Sequence, residues 1–318
     1  MSMIVKHIAI CITNKCNMNC QYCFRNGIDF SNKPLNFDYW NELLTFLNTN
    51  RDIEIADNLD IIFTGGEPFT NIDNVLNGYH TLSKLARYKE TSIRFGIVTN
   101  LCDPKKLLEM VDKGYLDKNN VSISWDGDSN ATVLSELIYN EYNSQHYDLF
   151  IRIAITENGI KDLYNNLLHL RSLGFTNVEY YFVNGSNEYN KEVFIDEFRN
   201  QLKLIIDDDS VLEILNNYKK IKSAIKEPYC MKMGKLLYID TDGWIWPCGF
   251  YSEDSNVHAI ENIRQYKLGT IFDGFLPHKL INPKSNVLPL DHFCHACSEE
   301  CIQSIRRLKQ IELEVYER

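Results

Sequence analysis

Short apolar runs alternate along this chain with longer stretches in which apolar residues recur every three or four positions. Residues 4–12 (Ile-Val-Lys-His-Ile-Ala-Ile-Cys-Ile) are compact and rich in β-branched side chains, which predicts a buried strand. From Asp38 the spacing becomes helical, with Trp40, Leu43, Leu44 and Leu47 on one face. Residues 60–64 predict a second strand, and residues 72–89 a helix carrying Val75, Leu76, Tyr79, Leu82 and Leu85. A strand at 93–99 comes next. The helix after it opens with Asp103 as N-cap and Pro104 at its first position, and closes before Gly114. Then come a strand at 121–125, a helix at 131–142, a strand at 149–156, a helix at 161–173 closed by Gly174, and a strand at 177–183. Six strand–helix rounds imply a parallel sheet with helices outside it, short of the eight rounds of a closed barrel.

Residues 187–226 are charged and helical in pattern, with Phe194, Phe198, Leu202 and Ile205 in register. They predict one or two helices bridging the six rounds to the C-terminal segment. From Tyr229 onward aromatic residues and cysteines become denser, and the Gly and Pro spacing predicts loops and short strands.

Composition narrows the class. The 318 residues are 44% apolar, enough to fill a core. There is no uninterrupted apolar stretch of about 18 residues, so no membrane span is expected. The first residues lack an apolar run closed by a cleavage site, so a cytoplasmic protein is expected. A net charge of −10 makes nucleic acid a poor partner. Ten cysteines change the picture most. Three lie at 16–23, two at 230 and 248, and three at 294–301, while Cys11 and Cys102 stand apart. Without an export signal, such grouping points to metal rather than to disulfides.

Cys16, Cys20 and Cys23 have the spacing C-x3-C-x2-C in a loop just after the first strand. Three thiolates so spaced can each hold one iron of a [4Fe–4S] cube. With no fourth cysteine nearby, one iron stays open to a small molecule. A structural zinc site, normally four ligands in C-x2-C pairs, fits poorly.

These three cysteines, with Tyr22 before the last, resemble the signature of the radical S-adenosylmethionine (radical SAM) superfamily. The resemblance implies a partial (β/α)6 barrel with the cluster at the C-terminal ends of its strands. It implies that the open iron chelates the amino and carboxylate groups of SAM. One electron then splits SAM into methionine and a 5′-deoxyadenosyl radical, which takes a hydrogen atom from the substrate. A flavodoxin- or ferredoxin-type electron donor is implied as a partner. Gly65-Gly66-Glu67-Pro68 after the second strand matches the family's GGEP motif, whose backbone and Glu side bind the SAM amino group. Asn100 at the end of strand three resembles a further SAM contact, as do Ser122, Ser124 and Asp126 of Val-Ser-Ile-Ser-Trp-Asp-Gly. Arg152 lies in strand five among apolar residues and needs an anionic partner, for which the SAM carboxylate and an internal ion pair are the candidates.

The later cysteines define a branch. Cys230, then Gly243, then Cys248 form C-x12-G-x4-C, which resembles the start of the SPASM/Twitch extension; Leu268-Gly269-Thr270-Ile271 resembles its next landmark. Five ligands are too few for two complete auxiliary clusters. A Twitch form with one second, auxiliary [4Fe–4S] cluster is expected, held by Cys230, Cys248, Cys294 and Cys297, with Cys301 as a fifth candidate. The domains so implied are 1–186 (barrel), 187–228 (bridging helices) and 229–318 (auxiliary-cluster domain). Related anaerobic sulfatase-maturing enzymes carry Cys-Asp-Phe-Tyr, with the Asp as base; here the segment is Cys248-Gly249-Phe250-Tyr251, which argues against that activity.

Cys11 reads as a buried strand residue, and Cys102, just past strand three, as a small loop or packing residue, with return of a hydrogen atom to a substrate radical, as in radical epimerases, as its functional alternative. Asp240 and Asp242 read as turn residues around Gly243, and His295 as a bystander. The expected activity is hydrogen abstraction from a ribosomally made peptide or protein, leading to epimerisation, a thioether or a C–C bond. A first strand beginning by residue 4 leaves no N-terminal leader-binding domain, which weakens the peptide reading. The alternatives are a small-molecule dehydrogenase oxidising an aminocyclitol or carbohydrate alcohol, and a non-catalytic iron–sulfur or zinc protein.

Overall fold

The computed structural model describes residues 3–20, 22, 23, 25, 38–125, 149–156, 158–182, 191–222, 236–246, 268–275 and 299–316. The helix expected at 131–142 lies outside the described residues. Strands β1 (Met3–Thr13), β2 (Ile53–Gly65), β3 (Ser92–Thr99), β4 (Val121–Trp125), β5 (Phe150–Ile155) and β6 (Val178–Phe182) pair in sequence order, all parallel. At the other side of β1, β7 (Leu236–Ile239) adds in parallel, and β8 (Trp244–Trp246), β9 (Gly269–Thr270) and β10 (Gly274–Phe275) continue antiparallel. One ten-stranded sheet results, in the order β10-β9-β8-β7-β1-β2-β3-β4-β5-β6.

Side chains alternate across a strand, and the register divides the six parallel strands into two unlike faces. One face carries Ile8, Ile10, Leu59, Ile61, Phe63, Ile97, Ile123, Trp125, Ile151, Ile153 and Tyr180, all buried. It packs under the helices. Trp40 meets Phe63 edge-on, Tyr79 meets Phe95, and Phe198 meets both Tyr180 and Phe182. The opposite face is polar at its ends. At its N-terminal end Asp60 accepts from Arg94 at 2.8 and 3.0 Å and from Asn120 at 2.9 Å, with His7 Nδ1 at 3.2 Å. Farther along, Ser124, Arg152 and Glu179 stand abreast on β4, β5 and β6.

Helix signals were mostly followed. Asp103 caps the helix Pro104–Asp112 by accepting from Lys106 N at 3.0 Å, and Gly114 takes φ +71 just beyond it. The segment 72–89 is two helices, Ile72–Leu82 and Lys84–Lys89. They meet at Ser83, whose hydroxyl donates to the His80 carbonyl at 3.3 Å. Strand β2 begins at Ile53, earlier than the apolar run at 60–64, because a register shift between Val5 and His7 lets its first residues pair with the start of β1. In place of the one or two helices expected over 187–226, the described residues 191–222 form three, Glu192–Ile206, Asp209–Leu212 and Asn216–Lys222; Asp208 starts the second by accepting from Ser210 N at 3.0 Å. Asp240 and Asp242 sit in the β7–β8 turn, as expected. Asp240 accepts from Asp242 N at 3.0 Å, Trp244 N at 2.9 Å and Trp246 Nε1 at 2.7 Å, and Gly243 takes φ +81. The C-terminal segment is not only loops and short strands: it ends in an 18-residue helix, Glu299–Tyr316.

An open sheet edge invites unwanted pairing, and β6 is such an edge. Here Val178 N donates to the Ile214 carbonyl at 2.9 Å. The buried Asn217 amide then stands in for a strand, accepting from Tyr180 N at 3.0 Å and donating to Tyr180 O at 3.1 Å. The C-terminal helix docks beside it: Glu312, 1% exposed, accepts from the Tyr180 hydroxyl and from Lys309 Nζ at 2.7 Å. Replacing Asn217 by Leu leaves the buried N–H and C=O of Tyr180 unpaired. We expect it to cost about 3 kcal/mol, read as a lower midpoint of urea unfolding at unchanged slope. Asn217→Asp, which keeps only the acceptor, should fall between the two.

Candidate active site

The C-terminal ends of β1, β2 and β3 meet in a set of backbone contacts. Beyond Thr13 the chain turns into the cysteine loop, with Lys15 N donating to Thr13 Oγ1 at 3.1 Å. The turn after β2 is stitched to this loop: Gly66 N donates to the Thr13 carbonyl and Glu67 N to the Lys15 carbonyl, each at 2.8 Å. Such contact is possible only without side chains. A Cβ on Gly65, where φ is +143, would lie 2.2 Å from Thr13 O, and one on Gly66 2.3 Å from Lys15 O.

Glu67 is 1% exposed, and its carboxylate accepts three hydrogen bonds from within the protein. Oε1 accepts from Phe69 N at 3.0 Å and Thr99 Oγ1 at 2.8 Å, and Oε2 accepts from Asn100 N at 2.7 Å. Burial pushes the carboxyl up from its ordinary value against these three donors. The family motif implies a part for the Glu side in binding the SAM amino group. In the structure that carboxylate ties the end of β3 to the β2 turn, and the buried Pro68 and Phe69 open a 3-10 turn behind it.

The cysteine loop lies over this junction. Cys16, Cys20 and Cys23 form no disulfide, each is half-buried, and Cys23 N donates to the Cys20 carbonyl at 3.0 Å. Met18 N donates to Cys16 Sγ at 3.4 Å. Asn100 Nδ2 bonds Asn17 Oδ1 at 2.8 Å and stands 3.9 Å from Cys16 Sγ. Burial, and then the charges of Glu67 and Cys23, push the Cys16 thiol up. Tyr22 is half-buried beside Cys23. Among the described residues no three His, Cys, Asp or Glu side chains converge to hold a single metal ion. A cube gives each thiolate its own iron, so its three thiolates surround one cluster without sharing one ion.

The residue just past β3, together with strands β4 and β5, adds polar atoms that have no hydrogen-bond partner among the described residues. Asn100 Oδ1, Ser122 Oγ and Arg152 Nε are buried and without a hydrogen-bond partner. Such atoms are costly unless a ligand or water completes them. A half-buried thiol trio beside glycine backbone, a neutral acceptor, a hydroxyl and a guanidinium fit a [4Fe–4S] cube with SAM. Thiolates suit iron, and the orphaned atoms match an amino acid linked to a nucleoside. Cys102 lies just past β3, exposed, after Leu101, a buried residue at φ +65. Burial of the sulfur, then the charges of Glu67, Asp103 and Cys16, push its thiol up to about 12. It therefore keeps its S–H bond at neutral pH.

Asp126, Cys230, Cys248, Cys294 and Cys297 lie outside the described residues. Cys301 falls in the C-terminal helix Glu299–Tyr316. Cys11 is buried in β1, as expected. Sequence reasoning missed Arg25, two residues after Cys23. Its buried guanidinium donates to Asn14 Oδ1 at 2.7 Å, to Cys11 Sγ at 3.3 Å and to the Tyr238 hydroxyl on β7, pinning the end of the cysteine loop. No periodicity marks such a residue. Tyr181 was also missed, although the alternation of β6 sets it opposite Val178, Tyr180 and Phe182.

The Radical SAM superfamily pattern matches residues 10–198, more than half of the chain, and the chain belongs to this superfamily. The family implies SAM and a [4Fe–4S] cluster as cofactors. Among curated relatives, the uncharacterized protein MJ0907 of Methanocaldococcus jannaschii is 23% identical over 268 residues, 77% of this chain and 85% of that one. The radical SAM cyclopropyl synthase TigE of Paramaledivibacter caminithermalis is 36% identical over 141 residues, 39% of this chain and 27% of that one. Among solved structures, native anSMEcpe with bound AdoMet and Kp18Cys peptide superposes with a TM-score of 0.63 at 16% identity, covering 87% of this chain and 80% of that one. The shared fold is the partial (β/α)6 barrel expected from the sequence. No helix among the described residues is long and apolar enough to cross a membrane.

Proposed function

We propose that this chain is a cytoplasmic radical SAM enzyme that removes a hydrogen atom from a ribosomally made peptide or protein. The observation that carries the reading is the coupling of the GGEP turn to the cysteine loop, together with three orphaned polar atoms, one just past β3 and one each on β4 and β5. When bound, the cluster and SAM supply a 5′-deoxyadenosyl radical. Cys16, Cys20 and Cys23 hold the cluster. Tyr22 and the backbone of Gly65, Gly66 and Glu67 border SAM; Asn100, Ser122, Ser124 and Asp126 orient it; Arg152 meets its carboxylate. Electrons come from a flavodoxin- or ferredoxin-type donor. A second cluster in residues 229–318 is held by Cys230, Cys248, Cys294 and Cys297, with Cys301 in reserve, and residues 187–228 bridge it to the barrel of residues 1–186.

The peptide reading is supported by the peptide bound to anSMEcpe, and C–C bond formation as an outcome by the likeness to TigE, a cyclopropyl synthase. Cys248-Gly249 keeps sulfatase maturation out of the proposal, because the base is missing. Epimerisation fits Cys102 best: a protonated thiol near the mouth of the site gives a hydrogen atom to the substrate radical and is itself left as a thiyl radical, to be reduced by the electron donor.

The test is 5′-deoxyadenosine formation by the anaerobically reconstituted protein with SAM and dithionite. Stimulation by a short peptide encoded beside the gene is expected, and stimulation by an aminocyclitol instead would move the assignment to a dehydrogenase. No 5′-deoxyadenosine under any condition sinks the enzyme reading. In D2O the peptide should gain one deuterium at the attacked carbon. Cys102→Ser should abolish that gain while SAM cleavage continues; an undiminished deuterium gain would remove Cys102 from the mechanism.

A further inference from the structure

Two arginines on the polar face of the sheet are held in opposite ways. Arg94 on β3 is locked by Asp60 through two bonds, at 2.8 and 3.0 Å, so its charge is neutralised in place. Arg152 on β5 has no carboxylate partner among the described residues, although Glu179 is its register neighbour on β6. Its contact is the ring of Tyr181, with the guanidinium carbon 4.6 Å from the ring centroid. Tyr181 is paired in register with Ala154, two residues beyond Arg152 on the same face. The small side chain opposite the ring leaves room for it to reach along the diagonal toward Arg152.

The difference has a chemical meaning. A carboxylate would fix the guanidinium more firmly, but it would also occupy its donors and cancel its charge. An aromatic face attracts the cation through its quadrupole and takes up no N–H donor. The orphaned Nε, buried and without a partner, shows the donors left over.

We propose that Tyr181 is a positioning residue: it holds Arg152 by the ring face and so keeps the guanidinium edge and its full charge directed to the carboxylate of SAM. This rests on the assignment of Arg152 to that carboxylate, and the test separates the two. The probes are SAM and decarboxylated SAM, with dissociation constants measured by anaerobic equilibrium dialysis on the reconstituted protein. Arg152→Gln should weaken SAM binding by about tenfold or more. Tyr181→Leu should weaken it by about fivefold, and Tyr181→Phe, which keeps the ring, should bind as wild type. Neither Tyr181 variant should change affinity for decarboxylated SAM, which lacks the group that Arg152 meets. Tyr181→Leu binding SAM like wild type while Arg152→Gln binds weakly would overturn the role of Tyr181 and leave that of Arg152 standing. Equal losses for SAM and decarboxylated SAM in Tyr181→Leu would reduce Tyr181 to general packing. A loss in Tyr181→Phe matching that in Tyr181→Leu would place the effect in the hydroxyl and overturn the role of the ring face. Unchanged SAM affinity in Arg152→Gln would refute the assignment of Arg152 and the proposal with it.

Discussion

Replacing Cys16, Cys20 and Cys23 together by Ala should lower the iron of the anaerobically reconstituted protein from about eight atoms per chain to about four and abolish SAM cleavage. Each thiolate supplies one bond and one negative charge to a different iron, and a methyl group supplies neither. On the proposed auxiliary cluster the remaining four irons would be held by the C-terminal cysteines, which lie far along the chain from the substitutions. Cys11→Ala is the control. Its sulfur is buried on β1 and receives a bond from Arg25 at 3.3 Å, so its loss should leave the iron content near eight. A fall from about four to none would dismiss the auxiliary cluster, and a wild-type protein without iron would end the assignment.

A single methyl group at Gly66 should do nearly as much. A Cβ there would lie 2.3 Å from Lys15 O, 2.6 Å from Lys15 C and 2.7 Å from Asn14 O. All three atoms are backbone, so no rotamer change relieves the clash. Either the Gly66 and Glu67 N–H bonds to the loop break, or the cysteine loop is displaced by roughly 1 Å, a shift that can cost about 100-fold in rate. We expect Gly66→Ala to lower the rate of 5′-deoxyadenosine formation by about that factor. The loss of stability should stay within about 3 kcal/mol, so the protein remains folded by circular dichroism. Gly114→Ala makes the comparison. That glycine sits at φ +71 with open space around it, so alanine there costs about 1 kcal/mol of backbone strain and should leave the rate alone. Equal rates for both variants would show that the GGEP turn does not set the position of the loop.

The strands of the barrel were legible because each is short, apolar on the helix-facing side and bounded by a turn. Strand β4 was placed at 121–125 by Val-Ser-Ile-Ser-Trp alone, and the helix after β3 by Asp103, Pro104 and Gly114. The cysteine and GGEP motifs pointed to one site before any coordinate, and the fold brings their backbones into direct contact. What stayed hidden depends on direction or on distant partners. The sequence places Glu67 in the GGEP motif but does not show that its carboxylate is held by Thr99 and Asn100, more than thirty residues later. Arg25 is buried by Tyr238, from the far end of the chain. The C-terminal helix was masked by the cysteine pattern, although Ile302, Ile305, Leu308 and Ile311 recur at helical spacing.

The placement of β7 against β1 has a consequence for the order of events during synthesis. β1 emerges first, and β2 can pair with it within one strand–helix unit, fixing one side of the cysteine loop early. Its other side waits for Leu236–Ile239, more than two hundred residues later. At roughly 5–20 residues per second on the ribosome, that interval is ten seconds or longer. Through it, the loop that is to receive iron is anchored on one flank only, and the edge of β1 is open to any passing strand. A nascent chain stalled before residue 236 should therefore take up iron at Cys16, Cys20 and Cys23 readily but hold it loosely, with the closing of β7 as the step that locks it in.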